Sequence, residues 1–274
     1  MKYLNIKSVL AALTCITAGS VSAKNITIND LQASNSSSWY KGVGVGKEDQ
    51  ETEPGTAGSQ SWDLEAFTLN GTSLKVYTGY NMLTGNNPYG TGDIFIDVNG
   101  DANWKPGADN GLFGTTDNSV FHYDYVVHFN DRRGIAVSGA YDVFRIADSS
   151  DVKFLETKFK AGSNPWVLDV KNSRSGLTKV ADGNLTLAAN SDWKIQADGT
   201  DLVGGSEKHP HYISNAIDLS FLKPGELNSQ TLFHLTMECG NDTLVGRCPD
   251  AGSTFALLGA AMAGMAFLPR RRKS

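Results

Sequence analysis

The sequence predicts an all-β protein, an antiparallel β-sandwich of jelly-roll-like build, and three observations predict it. Short stretches alternate apolar and polar residues, as a strand must when one face is buried and the other is wet. Turn-forming Gly, Asn, Asp, Ser and Thr stand between those stretches, with 29 Gly among 274 residues. Apolar stretches of helical spacing longer than ten residues occur only at the two ends of the chain.

In chain order, residues 1–23 read as a signal peptide. Lys2 and Lys7 supply the positive start, Val9 to Ile16 the apolar segment, and Val21-Ser22-Ala23 the small-x-small cleavage site. The domain is then expected to cover 24–247, beginning at Lys24, in an oxidising compartment. Residues 41–61, rich in Gly, Thr and acids, read as a surface loop. Within them Gly42 to Lys47 lacks phosphate-loop spacing, and Glu48-Asp49 would repel a phosphate. Asn70-Gly71 between Ala66–Leu69 and Leu74–Val76 predicts a hairpin. Strands are predicted at Leu74–Tyr80, Asp93–Val98, His122–Phe129, Tyr141–Ile146 and Trp166–Val170. Further strands are predicted around Leu185–Leu187, Trp193–Ile195 and Thr231–Glu238. A second loop is expected over Ala102–Asp117, and a short helix over Ser214–Leu222, closed by Pro224.

Charge narrows the function classes. Six of the 24 Lys and Arg lie in the terminal segments, which leaves 18 against 29 Asp and Glu over 24–269, a net of −11. That balance argues against nucleic acid or anionic lipid as a partner. It fits a solvated exported domain or one that holds divalent cations.

The sharpest local motif is Asp97-Val98-Asn99-Gly100-Asp101-Ala102-Asn103, which follows a strand. Oxygen side chains at alternate positions converge on a hard cation when the chain turns tightly, so Asp97, Asn99, Asp101 and Asn103, with Asp109 further on, form a candidate Ca²⁺ loop. It is not an EF-hand, since Ala102 and Ala108 stand where Gly and Glu are needed. The same residues are ordinary turn formers after a strand. His209-Pro210-His211 lacks a third ligand nearby, and His122 and His128, six apart on one predicted strand, share a face. There is no Gly-x-Ser-x-Gly elbow and no His-Glu-x-x-His, so no catalytic residue is assigned and the chain is expected not to be an enzyme. The five Trp could stack on sugars or fill a core. With Cys15 removed in the signal peptide, Cys239 and Cys248 remain. An even pair in an exported chain reads as a disulfide, worth about 2–3 kcal/mol for so short a loop, or as two thiols.

The C-terminus has three parts. These are the head Pro249-Asp250-Ala251-Gly252-Ser253-Thr254, an uncharged apolar run over 254–268, and the basic Arg270-Arg271-Arg272-Lys273. The run is short for a span, which takes about 20 residues, and the basic end is expected to stay cytoplasmic. This plan resembles the C-terminal sorting signals of PEP-CTERM type, which exosortases recognise. The head, followed by Ala256-Leu257-Leu258-Gly259, is most similar to the VPDSG-CTERM variant, with Cys248 where Val is usual and Ala251 where Ser is usual. Gly92–Asp97, Tyr123–Val127 and Phe233–Asp242 also resemble stretches of other PEP-CTERM proteins, which are associated with extracellular polymer and biofilm.

The resemblance implies a sorting signal over 248–274 carried by Pro249, Asp250, Gly252 and Ser253, and an exosortase as partner. It implies transient residence in the inner membrane through a helix at about 254–268, then cleavage and release to the cell surface or matrix. A plain C-terminal membrane anchor is the alternative reading of the tail. The expected role is structural or binding, with extracellular polysaccharide as a partner. A carbohydrate-binding module with a coplanar pair of exposed Trp, and a secreted hydrolase with two carboxylates in one pocket, are the alternatives.

Overall fold

A computed structural model describes residues 23–28, 64–102, 114–158, 163–190, 194–197, 200–203, 211–240 and 242–249. Residues 1–22, the expected loop at 41–61 and the tail from Asp250 onward lie outside the described residues. The early strands are β1 (Lys24–Asn25), β2 (Leu64–Asn70), β3 (Ser73–Thr78), β4 (Ile94–Asp97) and β5 (Thr115–Asp117). One helical turn, α1 (Asn118–Phe121), precedes β6 (Tyr125–Phe129), β7 (Ala140–Ile146), β8 (Lys153–Leu155) and β9 (Val167–Leu168). Then come β10 (Leu177–Asn184), β11 (Leu187–Asn190), β12 (Lys194–Ala197) and β13 (Thr200–Val203). The last are β14 (His211–Ser214), β15 (Ile217–Asp218), β16 (Leu232–Thr236) and β17 (Thr243–Arg247).

These strands make a sandwich. One sheet runs β1-β2-β3-β14-β11, with β15 also on β3; the other runs β10-β7-β6-β4-β16-β17. Every pairing is antiparallel, and β4, β6, β7 and β10 form an up-and-down meander. The Asn70-Gly71 signal holds: Asn70 pairs with Ser73, and Gly71 takes φ +59° in the two-residue loop. Strict alternation along β3 buries Leu74, Val76 and Thr78. Leu74 and Val76 pack with Phe67 onto Ile94, Val127, Phe233 and Leu235 of the facing sheet.

The second sheet is covered on both faces. Its outward side chains Phe95, Val126 and Ile146 pack under a small sheet, β5-β8-β9, and under α1, against Phe121, Tyr123, Phe154 and Leu168. Phe95 meets Phe154 edge-on, with centroids 5.2 Å apart. Burial on both faces explains why Ile94–Asp97 reads as a near-continuous apolar run, and why His234 and Thr236, the polar members of β16, are buried as fully as its apolar ones. His234 lies within this layer between Phe95 and Tyr123, and burial drives its pKa down to about 3.

Two expectations are corrected here. Asp117 caps α1 by accepting from Ser119 N, and His122 closes it at φ +62°, so the strand expected from His122 starts only at Tyr125. The helix expected over Ser214–Leu222 is absent. Ile217 and Leu219 are buried two apart, and that period places β15 on β3 instead.

The N-terminal strand joins the sheets. Lys24 and Asn25 pair with β2, and Ile26 N donates to Phe67 O (3.0 Å). The chain then crosses over: Arg247 N donates to Ile26 O (2.8 Å) and Ile28 N to Val245 O (2.7 Å). Gly246 makes the crossing possible, since a Cβ there would lie 3.0 Å from Phe67 Cδ2 and 3.3 Å from Ile26 Cδ1.

Candidate functional site

A cleft of about 290 Å³ opens at the end of the sandwich where β6 begins. Register builds its floor: Tyr125 lies opposite Arg145, and Arg145 opposite Thr178, so one row crosses β6, β7 and β10. Asp124 closes one end. Its N–H donates to Ile96 O and its carbonyl accepts from Ile146 N, which ties it to both flanking strands. The far wall is the turn that carries Lys223 and Glu226. That turn is fixed by Thr231 Oγ1 donating to Glu226 O (2.6 Å) and by Asn228 Nδ2 reaching Val98 O (3.3 Å).

The two carboxylates in the cleft differ. Burial pushes Asp124 up to about 6, and the charges of Asp97, Asp101 and Glu226 add to the rise. Glu226 is also partly desolvated. However, it accepts from Lys223 N (2.7 Å) and the Tyr125 hydroxyl (2.8 Å) and lies 3.5 Å from Lys223 Nζ, so it falls below the usual range. Burial and that bond to Glu226 raise the Tyr125 hydroxyl well above its ordinary value. Arg145 lines the cleft with no hydrogen-bond acceptor among the described residues. Sequence reasoning singled out none of the cleft's four charged residues, Asp124, Arg145, Lys223 and Glu226. Arg145 did leave a signal: it extends the row of Tyr141 and Val143, both buried, so it is a charge at an inward-facing position.

The Asp97 loop abuts this cleft. Asp97 Oδ1 accepts from Asn99 N (3.0 Å) and Gly100 N (2.8 Å), and Oδ2 from Ala102 N (2.9 Å). Asn99 Oδ1 accepts from Asp101 N (3.0 Å). These are the bonds of a well-made turn. The loop is also short of positive charge: the charge of Asp101 adds to the rise of Asp97, those of Asp97 and Asp101 add to the rise of Asp124, and none of the three has an ion-pair partner among the described residues. Burial is the largest cause of the raised Asp97 pKa, and it outweighs the three N–H donors. No group of three or more His, Cys, Asp or Glu able to hold a metal occurs among the described residues. Asn103 and Asp109 lie outside them.

A second charged centre sits before β4. Asp93 is fully buried and accepts from Leu168 N (2.9 Å), Phe129 N (3.2 Å), His128 Nδ1 (2.7 Å) and Arg132. Arg132 also donates to Thr91 O and covers the Trp166 ring at 5.5 Å. Burial acts to raise Asp93, but His128 and Arg132 overcome it and hold the carboxyl low. Burial likewise opposes the charged form of His128, and Asp93 overcomes that to raise its pKa. His122 and His128 do not share a strand face: His122, in its left-handed cap, meets Asp148 at 2.9 Å. The described residues hold no coplanar pair of exposed Trp. Trp166 is half-buried under Arg132, and Trp39, Trp62, Trp104 and Trp193 lie outside the described residues.

The expected Cys239–Cys248 bridge is overturned. Both side chains are buried thiols, not joined to each other. Thr236 pairs with Thr243 and Leu232 with Arg247, so Cys239 sits at the turn end of the β16–β17 hairpin and Cys248 at its open end. Five residues at ~3.4 Å each separate those ends by on the order of 17 Å. A disulfide spans at most ~7 Å between Cα atoms. Of the sorting-signal residues only Pro249 is described; Asp250, Gly252 and Ser253 are not. Among the described residues no helix is long and apolar enough to cross a membrane. Comparison with protein-family models, with curated proteins and with solved structures returns no match for this chain.

Proposed function

We propose that this chain is an exported protein of the bacterial cell surface or extracellular matrix, sorted and cleaved by an exosortase, that binds extracellular polysaccharide. In this reading residues 1–23 and about 254–268 are flanking targeting helices, and the domain between them is cargo. The location rests on the signal segment and on the three-part tail. The binding role rests on one observation: the cleft is open and carries charged side chains of both signs, Asp124, Arg145, Lys223 and Glu226, above a partly apolar lining. A sugar presents hydroxyls that both donate and accept, which suits such a mixture. Ca²⁺ is the cation this reading assigns to the Asp97 loop, with Asn99, Asp101, Asn103 and Asp109 as further oxygen donors. Mass spectrometry of the released protein tests the sorting step. The expected C-terminus lies near Pro249-Asp250, and a released protein still carrying Arg270–Arg272 would end this reading.

One observation favours a second reading, a secreted glycoside hydrolase. Asp124 and Glu226 line the same cleft, and their pKa values are pushed apart, as an acid and a base at one site would need. Incubation with soluble polysaccharide separates the two. New reducing ends, lost in Glu226→Gln, establish the hydrolase; binding without cleavage establishes the binding protein.

A further inference from the structure

We propose that the cleft takes an acidic sugar residue of that polysaccharide, a uronate, with Arg145 clasping its carboxylate and Asp124 accepting from its hydroxyls. The proposal rests on the binding role argued above and names the ligand class.

Arg145 is the starting point. Strand alternation turns it to the face that buries Tyr141 and Val143, yet it is exposed, because the facing sheet does not cover this end of β7. The other charged groups nearby already have partners. Lys223 and Glu226 face each other, and Asp142 and Asp182 share Lys179. Arg145 and Asp124 are the two charged groups of the cleft that lack an ion-pair partner among the described residues. A guanidinium offers a planar fork of N–H donors that fits a carboxylate through two parallel bonds, a match a lone hydroxyl cannot make.

Asp124 sits across the same opening. One of its oxygens is held by Val98 N (2.9 Å), which fixes the carboxyl in place. Its oxygens can accept from sugar hydroxyls at that opening. Thr178 adds a hydroxyl beside Arg145, and Lys223 an ammonium on the opposite wall. The site therefore combines one carboxylate receptor with several hydroxyl partners, which is the pattern of a uronic acid. The net charge of −11 over 24–269 repels a polyanion at long range, so selectivity has to come from this contact.

The test is calorimetric titration of the protein released from cells with tetragalacturonate and with neutral cellotetraose, each with and without EDTA. The uronate is expected to bind at least tenfold more tightly than the neutral sugar. Arg145→Gln is expected to weaken uronate binding at least tenfold without moving the thermal midpoint, and Arg145→Lys to fall between. Equal affinity for the two sugars overturns the acidic-sugar assignment and leaves the binding role standing. No binding of either sugar overturns the binding role and this inference together. Binding lost in EDTA but intact in Arg145→Gln assigns the carboxylate to a bound cation and overturns the role of Arg145.

Discussion

Asp93 and Asp124 occupy equivalent places at opposite ends of the second sheet, each just before a central strand, and their surroundings could hardly differ more. Asp93 is fully buried and surrounded by donors: two backbone N–H groups, a histidine and an arginine. Asp124 is half-buried, has one backbone donor and no ion-pair partner among the described residues, and lies near three other acids. At the first, partners outweigh desolvation and the carboxyl is held low; at the second, desolvation and like charges win and it rises to about 6. A carboxylate whose charge is fully met holds a fold together. One whose charge is unmet marks a candidate functional site.

The largest expected effect breaks this comparison most directly. Asp93→Ala leaves His128 and Arg132 buried without their anion, which should cost about 3–5 kcal/mol of stability. Asp124→Asn should be neutral or stabilising. Urea unfolding of both variants decides it, and comparable losses in the two would falsify the contrast.

Calcium removal comes next. An ion present at a hundredfold its dissociation constant stabilises by about 2.7 kcal/mol, which in a domain of this size shifts the midpoint by roughly 5–10 °C. Excess chelator should therefore lower the melting temperature of the wild type by several degrees and that of Asp97→Asn by much less. An unchanged wild-type curve removes calcium from the account.

The pH dependence sharpens the comparison further. Asp93 is lowered, so its contribution is present above the unfolded value near 3.9 and is lost as pH falls below it. His128 is raised, so its contribution is complete below about 6.5 and is lost as pH climbs through its folded value. Asp124 is raised as well, and for an acid the sign reverses: ionising it in the folded state costs stability as pH rises from about 4 through 6. Asp124→Asn should flatten stability across pH 4–6 and leave the loss above 6.5 unchanged. A wild-type profile identical to that of Asp124→Asn in the acid window would contradict the assignment. The smallest effect is a null one: reductant should leave the melting temperature unmoved, because Cys239 and Cys248 share no bond to break.

The sandwich was legible in the sequence where a strand faces the core on one side, as in Ser73–Thr78, or is buried on both, as in Leu232–Thr236. Edge and satellite strands were not. Leu177–Asn184 is mostly exposed and carries no alternation, so it is a strand only because β7 offers it a partner. The single turn at Asn118–Phe121 has only two apolar residues, Val120 and Phe121, too few for a helical period to show, and its cap, Asp117, read as the end of a loop. The site was the least legible part. Asp97 stood out because its motif is local. Asp124 joins it only through the pairing of Ile96 with Tyr125, and Glu226 arrives from a turn about a hundred residues later. The cysteines misled for the same reason: nine residues apart in sequence says nothing about lying at opposite ends of a hairpin.

The crossing of residues 26–28 onto Val245–Arg247 has a temporal consequence. Residues 26 and 28, near the start of the domain, hydrogen-bond to Arg247 and Val245 of the last strand, so no N-terminal portion emerging during synthesis can complete this architecture alone. The corner stays open, with Phe67 and Ile26 uncovered, until residue 247 has cleared the exit. Maturation is thereby made all-or-nothing in time: a chain truncated even a few residues before Cys248 is not a slightly shorter domain but one that never closes.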